Sequence, residues 1–349
     1  MKRAFAAPLK ALFACAAGGA LCQVLHTPLP WMIGPLLAMA ILKFRGVDLA
    51  APAGGREAGQ VIIGSALGLY FTSVVAHEVL ASWYLLVAAA VFATTLAYGG
   101  AFFLWRFAGV DRTTAFFASV PGGAAEMSNL GERYGAKIDR IVVAQSLRIV
   151  FVVVLVPVAM TLLDSHGSDI YQPSTQAVDL RGLLMLIACG AAGGLAMRVL
   201  RMPSPWFLGA LAPAIALTVQ EVHLSAMPGP LSNLAQLLIG CSLGARFDPR
   251  FLRSAPRFVL VVSASILGAI CVSALFGVLL AKFGGLSLPT MVLATAPGGV
   301  AEMCITAKVL QLGVPLVTAA QVTRVIILVT TTGPLFRLAR HITARLPSR

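Results

Sequence analysis

Pro121-Gly122-Gly123-Ala124-Ala125-Glu126-Met127 and Pro297-Gly298-Gly299-Val300-Ala301-Glu302-Met303 are one heptapeptide written twice, differing only at Ala124/Val300. Proline removes a backbone donor and paired glycines admit torsions that other residues resist, so each copy predicts a helix break. Each break lies in an apolar region and carries one acid. The repetition continues on both sides of it. Gln145-x-x-Arg148 answers Gln321-x-x-Arg324, and Gln60-x-x-Ile63-Gly64-x-x-Leu67-Gly68 answers Gln236-x-x-Ile239-Gly240-x-x-Leu243-Gly244. Further upstream, Pro28-Leu29-Pro30-Trp31 matches Pro203-Ser204-Pro205-Trp206, and Ala14–Gly19 matches Cys189–Gly194. Two halves of about 8–163 and 181–340 result, joined by the polar stretch Asp164–Asp179. The domain division expected is repeat 1 over 1–166, a periplasmic-side linker over 167–180 and repeat 2 over 181–349.

Composition assigns the class. With 58% hydrophobic and 11% charged residues, the 349-residue chain has too few charges to clothe a soluble globule. Runs such as Trp83–Trp105 and Ile141–Leu163 reach the ~20 residues that cross a bilayer core. The expectation is an all-α polytopic membrane protein. Each half supplies five spans, near 11–25, 29–43, 58–72, 82–106 and 141–163, then 182–200, 204–220, 230–245, 258–281 and 314–336. The Pro-Gly-Gly segments, about 113–133 and 288–311, read as re-entrant or discontinuous helices. The start, Lys2-Arg3 before an apolar stretch, resembles a signal peptide, but its match to Cys189–Gly194 inside the chain predicts a retained helix.

Charge placement tests the span count. With Met1 cytoplasmic and five crossings per half, the halves run in opposite directions. Lys2, Arg3, Arg56, Arg106 and Arg133 then share a side with Arg246, Arg250, Arg253, Arg257 and the C-terminal arginines, leaving only Arg181, Lys282 and Lys308 outside. Two inverted repeats of about five helices, with both termini cytoplasmic, satisfy that rule. The net charge of +13 is thereby explained by topology, and nucleic acid is not an expected partner. Trp31, Trp83 and Trp206, near span ends, suit interfacial anchoring.

Inverted repeats with broken helices are a transporter signature, with sites where the halves meet. Helices starting after Gly122-Gly123 and Gly298-Gly299 aim free N–H groups into the interior, where an anion or a side chain caps them. Glu126 and Glu302 are the acids placed inside the membrane region, and each must be protonated, paired or coordinating. They are read either as coupling or binding carboxylates or as bracing ion-pair partners. Arg148 and Arg324 lie in the last span of each half, on the face that also carries Gln145 and Gln321. An arginine there must meet a carboxylate, a carbonyl cluster or an anionic ligand; neutralising the Glu of its own repeat and clamping a substrate carboxylate are the two roles considered. Ser128, Asn129 and Thr306 follow the acids as further cavity candidates, and Gln60 and Gln236, at the starts of the third spans, read as interfacial caps or gate residues. The Gly64/Gly68 and Gly240/Gly244 spacings predict close helix packing, with lining of a narrow pathway as the alternative. Six scattered cysteines and five scattered histidines lack any ligand spacing, so no metal and no cofactor is expected.

The doubled Pro-Gly-Gly-x-Ala-Glu-Met, followed by Gln-x-x-Arg and preceded by Ile-Gly-x-x-Leu-Gly, resembles the bacterial membrane AbrB family, also described as AbrB-duplication or ammonia monooxygenase-like proteins. That resemblance implies a multi-pass inner-membrane protein and carries two inherited functions, ammonia oxidation and regulation of gene expression. The residues argue against a copper oxygenase, which needs clustered ligands, and against a DNA reader, which needs an exposed recognition element. No catalytic residue is assigned and the chain is not expected to be an enzyme. The expectation is a secondary transporter of a small polar or anionic metabolite, with proton coupling as an option. The absence of a nucleotide-binding P-loop speaks against an ATP-driven pump. The alternative is a membrane ligand sensor that regulates gene expression indirectly. The partners expected are the lipid bilayer and a small-molecule substrate, with a homodimer left open.

Overall fold

A computed structural model describes residues 2–163, 173, 177–247 and 255–344. Among them are fifteen α-helices and no strand. The first half of the chain supplies α1 (Lys2–Val24), α2 (Pro30–Phe44), α3 (Gly55–Gly68), α4 (Ser73–Ala81), α5 (Trp83–Phe107), α6 (Arg112–Ser119), α7 (Ala124–Arg133) and α8 (Ile138–Leu162). The remainder supplies α9 (Leu180–Val199), α10 (Pro205–Val219), α11 (Gly229–Gly244), α12 (Pro256–Gly284), α13 (Leu288–Thr295), α14 (Val300–Leu310) and α15 (Val314–Ala344). The linker expected at 167–180 lies largely outside the described residues, as do Arg250 and Arg253 of the basic cluster.

Six helices, α1, α5, α8, α9, α12 and α15, are long and apolar enough to cross a membrane. Exposed Phe13, Leu184, Leu260 and Leu275 cover the outer faces of α1, α9 and α12, a surface that suits lipid rather than water. Of the ten expected spans, these six reach full crossing length. α2, α3, α10 and α11 have 14 to 16 residues, about 21–24 Å at 1.5 Å per residue, short of a ~30 Å hydrocarbon core. The sequence reading gives these four spans nearly the same short lengths, 15 to 17 residues. The third span of repeat 1 also turns: α3 and α4 meet at 92° across a short break. α4 is an element that the sequence reading does not contain.

Both Pro-Gly-Gly segments are broken helices, as predicted. α6 and α7 flank one break, α13 and α14 the other. α6 begins with a strong cap: Asp111 accepts from the Thr114 amide at 2.8 Å and from its hydroxyl at 2.6 Å, so the helix starts where its side chains can satisfy it. Left-handed residues recur in pairs at matched positions, His26 with Arg201 and Leu29 with Ser204, so the chain makes the same corner before α2 and before α10.

The helices sort into two bundles. α1, α2, α3, α9, α10 and α11 pack in one, and α5 to α8 with α12 to α15 in the other. In the first bundle each third helix lies on the second helix of the opposite half: α3 on α10, and α11 on α2. Glycine makes that approach possible. A Cβ on Gly64 would stand 2.6 Å from the Phe207 carbonyl oxygen, and one on Gly244 2.6 Å from that of Leu36. Gly68 and Gly240 meet Ala214 and Met32 in the same way. Trp31 and Trp206 lie against Gly19 and Gly194 of the preceding helices. Small-residue contact of this kind drives helix association where lipid removes the hydrophobic incentive.

Gly240→Leu should therefore cost about 1–3 kcal/mol through overpacking against backbone. Gly268→Leu, where an added Cβ meets nothing within 4 Å, should leave stability unchanged. Thermal unfolding in detergent, followed by tryptophan fluorescence, compares the two; equal midpoints would contradict the seam.

Candidate functional site

The break leaves carbonyls without partners, because the last four C=O groups of a helix have no intrahelical donor. In the first half Gln145 Nε2 donates to the carbonyls of Phe117 at 2.9 Å and Val120 at 2.8 Å. Arg148 Nη1 donates to Val120 O at 3.2 Å and Nη2 to Gly122 O at 3.3 Å. The second half repeats this with Gln321 on Leu293 and Ala294 at 3.1 and 3.2 Å, and Arg324 on Ala296 and Gly298 at 2.6 and 2.5 Å. The Gln-x-x-Arg pair on one face of α8, and its match on α15, is a side-chain cap for a helix that stops in the interior. The halves differ in one detail: Arg148 Nη2 also donates to Gln145 Oε1 at 2.8 Å, whereas Gln321 Oε1 has no hydrogen-bond partner.

This corrects one of the two arginine roles considered above. Among the described residues neither Arg148–Glu126 nor Arg324–Glu302 forms an ion pair within 4.0 Å; the recorded bridges are Arg56–Glu302 at 3.9 Å and Arg140–Asp139 at 3.6 Å. The arginines meet the carbonyl cluster of their own repeat. Backbone oxygens at the break lie on the guanidinium side, while the acids belong to the first turn of the following helix.

The other letters of the heptapeptide have equally local causes. Gly122 and Gly298 press against Met127 and Met303, whose side chains lie 2.6–2.9 Å from where a Cβ would stand. Gly123 and Gly299 are N-caps of α7 and α14 without a side chain to cap with. The Cβ they lack would meet the carboxylates of Glu126 and Glu302, three residues on. Each acid therefore folds back over the start of its own helix, where the free N–H groups and the positive dipole end favour negative charge.

Both breaks open onto one cavity of about 280 Å³. Eight of the ten predicted site residues line it: Gly122, Gly123, Glu126, Arg148, Gly298, Gly299, Glu302 and Arg324. Gln145 and Gln321 do not; they are fully buried behind the wall. Nor do the candidates Ser128, Asn129, Thr306 and Gln236 line it, and Thr306 bonds the Glu302 carbonyl of its own helix at 2.9 Å. Gln60 does line it.

The sequence reading misses Arg56, Glu57, Ser204 and Arg246, which come from the ends of α3, α10 and α11 in the other bundle. Two of them engage the acids. Glu126 Oε1 accepts from the Ser204 amide at 3.2 Å, and Glu302 faces Arg56. Arg56 Nη1, Arg148 Nε, Arg324 Nε and Glu302 Oε1 are buried polar atoms without a hydrogen-bond partner. The wall holds four guanidinium groups against three carboxylates. Such a lining can bind a small anion through charge-assisted hydrogen bonds.

Fold and site together define an all-helical protein with membrane-spanning helices and two matched helix breaks around one charged cavity. The profile of a family described as "Transition state regulatory protein AbrB" matches residues 7–340, and the chain belongs to this AbrB family. It is similar, at 28% identity over 356 residues, to "Uncharacterized protein YhjN" of Bacillus subtilis (strain 168), covering 94% of this chain and 91% of that one. It is also 28% identical over 334 residues to "Putative regulator AbrB" of Escherichia coli (strain K12), covering 93% of each chain.

If the arginines act as caps, Arg324→Met should destabilise the fold by about 3 kcal/mol, the scale of losing hydrogen bonds made by a charged group to buried acceptors. Arg324→Lys, which keeps the charge but not the fork, should recover only part of this. Unfolding midpoints in detergent decide; an unchanged midpoint for Arg324→Met would show that the bonds carry no weight.

Proposed function

We propose that the protein is a secondary transporter of a small polar or anionic metabolite, with the cavity as its central binding site. The observation that carries this reading is the convergence of both Pro-Gly-Gly breaks, both acids and both arginines on one cavity at the seam between two bundles. A rigid receptor pocket needs no such duplication, whereas alternating access uses matched elements around a shared site. In this reading the chain comprises two inverted repeats, 1–166 and 181–349, in an inner membrane with both termini cytoplasmic. Glu126 and Glu302 bind substrate or carry the coupling proton. The excess of guanidinium groups favours an anion, and the protein converts nothing chemically.

A second reading has one specific support, the regulatory names of the family and of its Escherichia coli relative. The same cavity would then sense a metabolite without moving it, and gene expression would respond through other components.

Flux separates the two. Proteoliposomes are loaded with a defined mixture of small carboxylates and amino acids, and efflux is followed by mass spectrometry with and without a pH gradient. Wild-type protein should release at least one compound faster than empty vesicles, and Glu302→Gln should largely abolish the pH-driven part. Saturable binding with no flux under any ion gradient would sink the transporter and leave the sensor.

A further inference from the structure

The Gln–Arg caps of the two breaks correspond, yet farther along the helices one contact is formed in one half only. Lys308 Nζ donates to Ser232 Oγ at 3.4 Å, tying the last turn of α14 to the start of α11. Ser232 and Arg246 mark opposite ends of α11, about 21 Å apart at 1.5 Å per residue. The Lys308 bond therefore lies at the far end of α11 from the cavity, whose wall contains Arg246.

The corresponding residues of the first half follow from the repeat. Lys308 stands six residues after Glu302, as Glu132 stands six after Glu126; Ser232 stands four before Gln236, as Arg56 stands four before Gln60. The matched pair is thus Glu132 and Arg56, which carry opposite charges. It is not formed in this conformation. Arg56 faces Glu302 at 3.9 Å, while Glu132 is exposed and makes no ion pair among the described residues. The contact of the second half is closed, that of the first is open, and the cavity lies on the open side, beside the start of α3.

We infer that Arg56 and Glu132 are the closing pair of the cavity in a second conformation, reached when the two halves exchange their arrangements. This rests on the transport reading. In that state Arg56 leaves Glu302 for Glu132, the start of α3 meets the end of α7, and the Lys308–Ser232 bond opens the other side. Matched positions that hold unmatched contacts leave a second arrangement open, and a modest bias selects between the two. An exposed ion pair is weak, which suits a latch that must release in every cycle. The exchange also strips Glu302 of its nearest cation as the cavity shuts, so a substrate or a proton has to satisfy that acid.

The test uses the full chain in lipid vesicles, with Cys189→Ser and Cys271→Ser removing two exposed thiols. Ser232→Cys with Lys308→Cys should be joined rapidly by a short bis-maleimide, since that contact is closed. Arg56→Cys with Glu132→Cys should be joined slowly, and adding Lys308→Ala should speed this by roughly tenfold, the shift expected for losing one hydrogen bond to a charged group. A second readout keeps both charges in play. Labelling of Ser204→Cys in the cavity wall by a water-soluble maleimide should accelerate severalfold with Glu132→Lys and stay unchanged with Glu132→Asp. Absence of the 56–132 cross-link in both backgrounds, or labelling indifferent to Glu132→Lys, overturns the latch. A formed cross-link in vesicles that show no flux would instead refute transport and leave the latch standing.

Discussion

A helix that stops inside a membrane exposes carbonyls to a medium that offers them no donor, and each one left unpaired costs several kcal/mol. Everything distinctive about this chain depends on how that cost is met. The amide of Gln145 and the fork of Arg148 cover the end of α6, and Gln321 and Arg324 do the same for α13. Arginine suits this because one planar group reaches two carbonyls on either side of a proline, which a single ammonium does less well. With the ends sealed, the chain can turn and start α7 and α14 from glycine in the interior. Only then do two helix N-termini and two acids come to one cavity.

The heptapeptide is accordingly a packed object rather than a flexible hinge. Proline ends the first helix, one glycine admits the methionine, the next admits the glutamate, and the glutamate returns to the start of the helix it belongs to. The proline, both glycines, the glutamate and the methionine each have a neighbour that requires them or stand at the turn. What remains adjustable is the relation between bundles. Across that seam the acids reach Ser204 and Arg56 through single contacts of 3.2 and 3.9 Å, far weaker than the interior clamp behind them.

The helices and both breaks were legible in the sequence because apolar runs and Pro-Gly-Gly act locally. The gathering of Glu126, Glu302, Arg148 and Arg324 was legible because the duplication itself argued for one shared site. The arginine's partner was not. Gln-x-x-Arg has the same spacing whether its target is a carboxylate or a row of carbonyls, and only the placement of α6 against α8 decides. Arg56 and Arg246 were hidden for another reason. In the sequence they stand at helix ends and read as topology signals, yet the ends of α3 and α11 that carry them lie at the cavity. The packing of Trp31 and Trp206 against glycine faces was likewise not legible, because their place near helix ends says nothing of which neighbour they meet.

The crossing of α3 onto α10 and of α11 onto α2 has a consequence for how the protein is made. When the ribosome has finished α8, the backbone faces at Gly64 and Met32 still lack the helices that will cover them, and more than fifty residues must follow before α10 is complete. Insertion into the bilayer thus runs ahead of packing, and the first half waits in lipid with its seam open. Truncated or slowly translated chains would linger in that state, where the bare small-residue face is free to pair with another copy of itself. The feature that binds the finished halves together is therefore also the point at which biogenesis is most exposed to error.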